Sequence, residues 1–155
     1  MWRTLRRLGV AEADADDVCQ EVFLVVHRRL AEFDNRSGLR AWLYGICVRR
    51  ASEYRRSAYV RRERVVETVP DDGAPARQEE AVERLRAVAA LEVVLAELDE
   101  KKREVFVLFE LEELSLAEVA QAVGCPLQTA YSRLLVARES VRQAFARRAA
   151  QERVS

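Results

Sequence analysis

An all-α fold, two small helical domains joined by a flexible linker with the second ending in a helix-turn-helix, follows from three features of the sequence. Glycine and proline are scarce, five and three in 155 residues, too few for the turns of a sheet-rich chain. Long stretches rich in Ala, Leu, Glu and Arg favour helix. Apolar residues recur at helical spacing on both sides of one break, VPDDGAPAR at residues 69–77, which gathers two prolines, a glycine and two aspartates. The expected boundaries are 1–57 for the first domain, 58–78 for the linker and 79–150 for the second domain.

The elements follow in order. Trp2 to Leu8 reads as the tail of a helix closed by Gly9. A second helix starts near Asp14, whose side chain suits an N-cap, with Asp16 and Asp17 favourable in the first turn. Val18, Val22, Val25 and Leu30 form its apolar stripe, widened by Phe23 and Val26. FDNRSG then reads as a turn. A third helix is expected from about Leu39 to Arg56, with Leu39, Trp42, Leu43, Ile46 and Cys47 on its apolar face and Arg40, Tyr44, Arg49 and Arg55 on the other side. Beyond the linker, Glu79 to Leu98 carries Val82, Leu85, Ala89, Val93 and Ala96 on one face. The VFVLF run that follows has strand-like composition, but charged helix formers on both sides make it a buried helix. Ser115 and Glu118 then give S-x-x-E, a capping box, opening a short helix over Leu116 to Val123. Gly124-Cys125-Pro126 is a tight turn, and a last helix runs from about Leu127 to Arg147.

Composition excludes several functions. No run of apolar residues is long enough to span a bilayer. MWRTLRRLG lacks the apolar core of a signal peptide, so a cytoplasmic protein without membrane insertion is expected. Cys19, Cys47 and Cys125 lie far apart with no C-x-x-C pair, and His27 is the sole histidine. They read as small core residues and a surface histidine, with no metal, cofactor or disulfide framework. The acid pairs Asp16–Asp17, Glu79–Glu80 and Glu112–Glu113 have no His, Lys or metal partner in the pattern, and adjacent positions do not share a helix face. There is no glycine-rich phosphate loop and no nucleophile beside a base, so no enzyme is expected.

Formal net charge is zero, but its distribution is uneven. Residues 12–21 hold Glu12, Asp14, Asp16, Asp17 and Glu21 and no base. Residues 36–64 are rich in arginine against only Glu53 and Glu63, residues 92–118 are acidic, and residues 128–153 are basic again. Two basic blocks, each preceded by an acidic one, read as two anion-binding surfaces backed by surfaces for other partners.

The most informative stretch is SLAEVAQAVGCPLQTAYSRLLVARESVR, residues 115–142. A capped short helix, a glycine turn and a second amphipathic helix describe a helix-turn-helix. Ala120 permits close approach of the two helices. Leu127, Ala130, Leu134, Ala137 and Val141 fall on the inner face of the second helix. Gln128, Thr129, Ser132 and Arg133 then face outward where a recognition helix meets base edges. Arg133 suits a guanine, a contact of roughly 1–3 kcal/mol, while Arg138 and Arg142 suit the backbone.

Together the two halves resemble the extracytoplasmic-function group of sigma factors, in the sigma-70 family. Residues 14–50 carry D-A-x-D-x-x-Q-E-x-F and x-W-L-x-x-I, similar to that family's region 2. Residues 98–142 carry L-x-x-x-x-R-x-V-x-x-L, S-x-x-E-x-A and S-R-x-x-x-A-R, similar to its region 4. The resemblance implies a protein that binds core RNA polymerase and directs it to promoter DNA, with an anti-sigma protein as a further possible partner. It implies that Asp17, Gln20 and Glu21 dock on the polymerase, and that Asn35, Arg36 and Ser37 capture an unstacked base as the −10 element melts. Arg40, Tyr44 and Arg49 would hold the opened strand, whereas Trp42 belongs to the core. The −35 element would meet Gln128, Thr129, Tyr131, Ser132, Arg133, Val136 and Arg138. Two departures stand out. The family's region 2 begins with a further helix, of which WRTLRRLG keeps the end. Its recognition helices usually read K-S-R-x-H-R-A-R, where this chain has YSRLLVAR, so Leu135 and Val136 could meet thymine methyls or a protein.

Two readings from other classes stay open on the residues alone. One is a sigma-like decoy that binds polymerase or a partner without opening DNA. The other is a plain helix-turn-helix regulator binding duplex as a dimer, although the first half offers no heptads for dimerisation.

Overall fold

The computed structural model describes residues 1–36, 38–64 and 79–154, and all regular elements among them are helical. They are α1 (Trp2–Arg7), α2 (Glu12–Arg29), α3 (Leu39–Arg64), α4 (Glu79–Glu97), α5 (Glu100–Phe106), α6 (Leu116–Val123) and α7 (Leu127–Val154). A 3₁₀ turn, Leu30–Glu32, follows α2, and a π-helical turn, Val107–Leu111, follows α5. The sequence VPDDGAPAR lies outside the described residues.

Gly9 closes α1 with a φ of +96°, a conformation that side chains resist. Asp14 does not cap α2. The helix starts earlier, at Glu12, with Ala11 as a cap that makes no side-chain hydrogen bond. Asp14 instead accepts a hydrogen bond from the Tyr54 hydroxyl at 2.6 Å, tying α2 to α3. Val18 and Val22 are buried as the spacing predicts, together with Ala15, but Phe23 and Leu30 are 57% and 54% exposed. Phe23 sits one residue, about 100° of helix, past Val22. Leu30 is turned off the stripe because the tighter 3₁₀ turn begins there.

The third helix exceeds its expected end at Arg56 and runs on to Arg64, since nothing in SAYVRRER breaks a helix. Ile46 and Cys47 are buried on it, with Ala41, Val48 and Ala51, while Leu39 is exposed. For α4 the expected face was wrong. Leu85 and Val93 are exposed, as are Ala89 and Ala96, and Val94, Leu95 and Leu98 are buried instead. This helix carries two apolar stripes, and its contacts with α1 and α7 select the second; the Val82 side chain lies outside the description.

Asp99 caps α5, accepting from the Lys102 amide at 3.0 Å. Val105, Phe106, Val107 and Leu108 are fully or nearly buried, so VFVLF is a core helix and not a strand. The π turn ends in Glu112, followed by Glu113 with a φ of +56°. For a non-glycine residue that conformation costs roughly 1–2 kcal/mol, which other contacts of this segment offset.

The buried residues of the two halves form one continuous cluster, running from Leu5 and Ile46 to Leu108 and Leu134. The closest seam lies between α3 and α6. There Gly45 lets the helices meet, because a Cβ on it would stand 3.2 Å from the Ala122 carbonyl oxygen.

Candidate nucleic-acid interface

The capping box opens α6 as its sequence requires. The Glu118 amide donates to the Ser115 hydroxyl at 3.2 Å, and the Ser115 amide donates to the Glu118 carboxylate at 2.8 Å. Gly124 ends the helix with a φ of +71°, and α7 begins after Pro126. Ala120 and Ala130 are buried where the two helices cross, and Leu134, Ala137, Val141 and Ala144 continue the inner face. Leu127, expected on that face, is exposed, because it opens the helix before the crossing.

The outer face of α7 carries Gln128, Tyr131, Ser132, Leu135 and Val136 exposed, with Thr129 and Arg133 half-buried. The Ser132 hydroxyl donates to the Thr129 carbonyl at 3.0 Å. Arg138 is engaged within the chain: its guanidinium pairs with Glu110 and lies 5.3 Å from the Phe109 ring centroid. Arg142 is held by Glu139 at 2.8 Å.

In the first half, Asn35 stands exposed with a φ of +58°, a left-handed conformation that asparagine tolerates. The Arg36 amide donates to Asp34 at 3.1 Å, and its exposed side chain pairs with the same carboxylate at 3.4 Å. Ser37 lies outside the described residues. Phe33 packs on Trp42 with ring centroids 5.2 Å apart, so Trp42 is partly buried. Asp17, Gln20 and Glu21 lie together on the exposed side of α2, beside exposed Phe23 and Leu24. Arg49 lines a cleft between α2 and α3 with Arg28, Arg29 and Arg50. Burial, and then Arg29, lower its pKa. The other three arginines were missed in the sequence, although the repeated Arg pairs at 28–29 and 49–50 were visible signals.

Arg40 and Tyr44 are not free. The Tyr44 hydroxyl donates to Glu112 Oε2 at 2.8 Å, and Arg40 donates to the Glu112 carbonyl at 2.5 Å. Thr4 and Arg7 reach Glu112 Oε1 at 2.8 and 3.3 Å. Burial, and then Glu112, push the Tyr44 phenol up to about 12. Further along α3, Arg55 pairs with Glu100 at 2.7 Å and Glu104 at 3.2 Å, while Arg6 pairs with Glu92 at 2.9 Å. Every one of these bridges runs from a first-half donor to a second-half acid. Among the described residues no cluster suits a metal ion, and Cys19, Cys47 and Cys125 are free thiols. Burial pushes the Cys47 thiol up to about 12, which leaves it unreactive. His27 is exposed. No helix among the described residues is long and apolar enough to cross a membrane.

Comparison with known proteins agrees with this arrangement. Residues 1–61 match the sigma-70 region 2 family, and residues 89–141 match sigma-70 region 4. The chain is 30% identical over 138 residues to the RNA polymerase sigma factor NccH of Alcaligenes xylosoxydans xylosoxydans, spanning 86% of this chain and 74% of that one. It is 31% identical over 145 residues to the ECF RNA polymerase sigma-E factor of Escherichia coli K12, spanning 85% and 74%. CnrH, solved in complex with the cytosolic domain of CnrY, superposes with a TM-score of 0.69 at 25% identity, over 94% of this chain and 79% of that one. The sigma factor RpoE, solved with the anti-sigma factor NepR from Bartonella quintana, shares the fold at a TM-score of 0.70 and 20% identity, over 94% and 89%. With regions 2 and 4 in order and relatives matched along most of their length, the chain belongs to the extracytoplasmic-function group of the sigma-70 family, RNA polymerase sigma factors that direct the polymerase to promoters and act by binding rather than catalysis.

Proposed function

We infer that the chain divides its work between an N-terminal unit, about residues 1–57, and a C-terminal unit, about residues 79–150. The C-terminal unit reads a duplex −35 element in the major groove with Gln128, Thr129, Tyr131, Ser132, Arg133, Val136 and Arg138. The observation that carries this reading is the solvent-facing N-terminal half of α7 beside a capped α6, the docking geometry of a helix-turn-helix. Arg138 first exchanges Glu110 for a phosphate. The N-terminal unit holds the melted −10 region with Asn35, Arg36, Ser37, Arg40, Tyr44 and Arg49. The exposed αL turn at Asn35 and the arginine-lined cleft around Arg49 support that role. Asp17, Gln20 and Glu21, an acidic face with Phe23 and Leu24 alongside, dock on a basic helix of the polymerase. The chain acts in the cytoplasm, has no catalysis of its own, and takes an anti-sigma protein as a negative partner, as the solved relative RpoE does with NepR.

Two variants separate the roles. Arg133→Ala weakens duplex −35 binding by roughly 1–3 kcal/mol and relaxes base preference, while affinity for core polymerase is retained. Charge reversal at Asp17 and Glu21 does the opposite. Equal loss of polymerase affinity in the Arg133 variant would remove that residue from the DNA face.

A further inference from the structure

We propose that Thr4, Arg7, Arg40 and Tyr44 form a seat for a phosphate of single-stranded promoter DNA, and that the Glu112 carboxylate occupies this seat in the closed chain. The proposal rests on the assignment of Arg40 and Tyr44 to the −10 region and adds Thr4 and Arg7 to it. Donors from α1 and α3 converge on Glu112: Thr4 and Arg7 on one carboxylate oxygen, Tyr44 on the other, and Arg40 on the carbonyl. Two hydroxyls and one guanidinium group surround the carboxylate, with the Arg40 guanidinium beside them on the Glu112 carbonyl, and such a donor set suits a phosphodiester because both anions accept charge-assisted hydrogen bonds. Thr4 is only 1% exposed, and its hydroxyl would be left buried and unpaired if Glu112 withdrew without replacement. The charged groups that act on Arg7 and Tyr44 are Glu112, from the second half, and Arg40.

The segment that delivers Glu112 is irregular. The π turn Val107–Leu111 precedes it and the left-handed Glu113 follows, so Glu112 is held in the seat by a backbone that an ordinary helix would not provide. The same donor atoms cannot serve Glu112 and a phosphate together. Single-strand binding and separation of α6 from α3 are therefore coupled, and reciprocally so. A −10 strand opens the chain, and whatever opens the chain improves strand binding.

Full-length chain titrated against a short fluorescein-labelled, A/T-rich single strand, read by fluorescence anisotropy, tests this. Glu112→Gln is expected to tighten binding about five- to tenfold, while Glu113→Gln, an equal charge change on the exposed neighbour, leaves it unchanged. Adding Arg7→Ala to Glu112→Gln returns the affinity to the wild-type level or below. Gly45→Leu, which wedges α3 from α6 without altering charge, also tightens binding and keeps the test open should Glu112→Gln melt early. Equal effects of Glu112→Gln and Glu113→Gln would overturn the seat, as would a double variant that stays as tight as Glu112→Gln. If no form binds the strand while the wild-type chain still supports promoter-dependent transcription with core polymerase, the seat is wrong and the sigma-factor assignment stands.

Discussion

Arg55 shows how single residues hold the closed chain together. Its guanidinium donates to the Leu8 carbonyl, to Glu100 and to Glu104, and Glu104 is 1% exposed with Lys101 at 3.6 Å as its other cation. Arg55→Ala would strand a buried carboxylate, so chemical denaturation is expected to show a loss of about 3–5 kcal/mol. Replacing both residues by apolar ones, Arg55→Met with Glu104→Leu, should recover most of that loss, because the desolvation cost of both charges disappears together. Burial opposes ionisation of Glu100, but hydrogen bonds from Ser52 and Arg55 outweigh it and bring its carboxyl down to about 2. A depressed carboxyl stabilises the fold above its unfolded value near 4.5 and loses that contribution as pH falls toward about 2. Glu104, raised by burial against Lys101 and Arg55, has the opposite sign. Glu100→Gln should therefore flatten the acid limb of a stability–pH curve below about pH 4.5; an unchanged limb would show that the Arg55 and Ser52 contacts do not persist in solution. None of this was legible in the sequence, where Arg55 read as one arginine of an anion-binding face opposite the apolar stripe. Partners 45 and 49 residues away leave no trace in local spacing.

At the scale of elements the sequence was most legible where local chemistry is complete. The S-x-x-E box, Gly124 and the small residues Ala120 and Ala130 define α6 and its turn without reference to the rest of the chain, and the observed helix is Leu116–Val123 as expected. Ser115→Ala is predicted to cost about 1 kcal/mol, seen as a lowered melting temperature, and to weaken duplex binding through the loosened turn. Boundaries and faces that depend on neighbours were read less well. Asp14 looked like a cap because its type favours that position, yet Tyr54 from α3 claims it. In α4 an alanine- and valine-rich helix offered two apolar faces, and only contact with α1 and α7 chose between them. The seam at Gly45 was likewise invisible. A glycine inside a helix normally costs stability relative to alanine, and here it permits the close approach to Ala122.

On the scale of the whole molecule, the alternating charge blocks acquire a second meaning. The acidic stretch 92–118 supplies Glu92, Glu100, Glu104 and Glu112 to arginines of the first half, so part of that acidic block is neutralised within the chain. The acidic face of α2 is different: Asp17 and Glu21 remain exposed, as the proposed docking on the polymerase requires. Their charge reversal is expected to lower core polymerase affinity by roughly 1–3 kcal/mol in a binding titration, with free DNA binding spared. Both the family and the order of its regions were readable from motifs; the packing of the two halves into one core was not, because it depends on contacts across the linker. The central claim is that this chain makes core RNA polymerase select promoters. Run-off transcription on a promoter library, with bacterial core polymerase and the purified full chain, tests it most directly. The account predicts discrete transcripts that require the chain and share a common upstream sequence, and that weaken and lose part of that shared sequence with Arg133→Ala. Stable binding to core polymerase without any promoter-dependent transcript would contradict it.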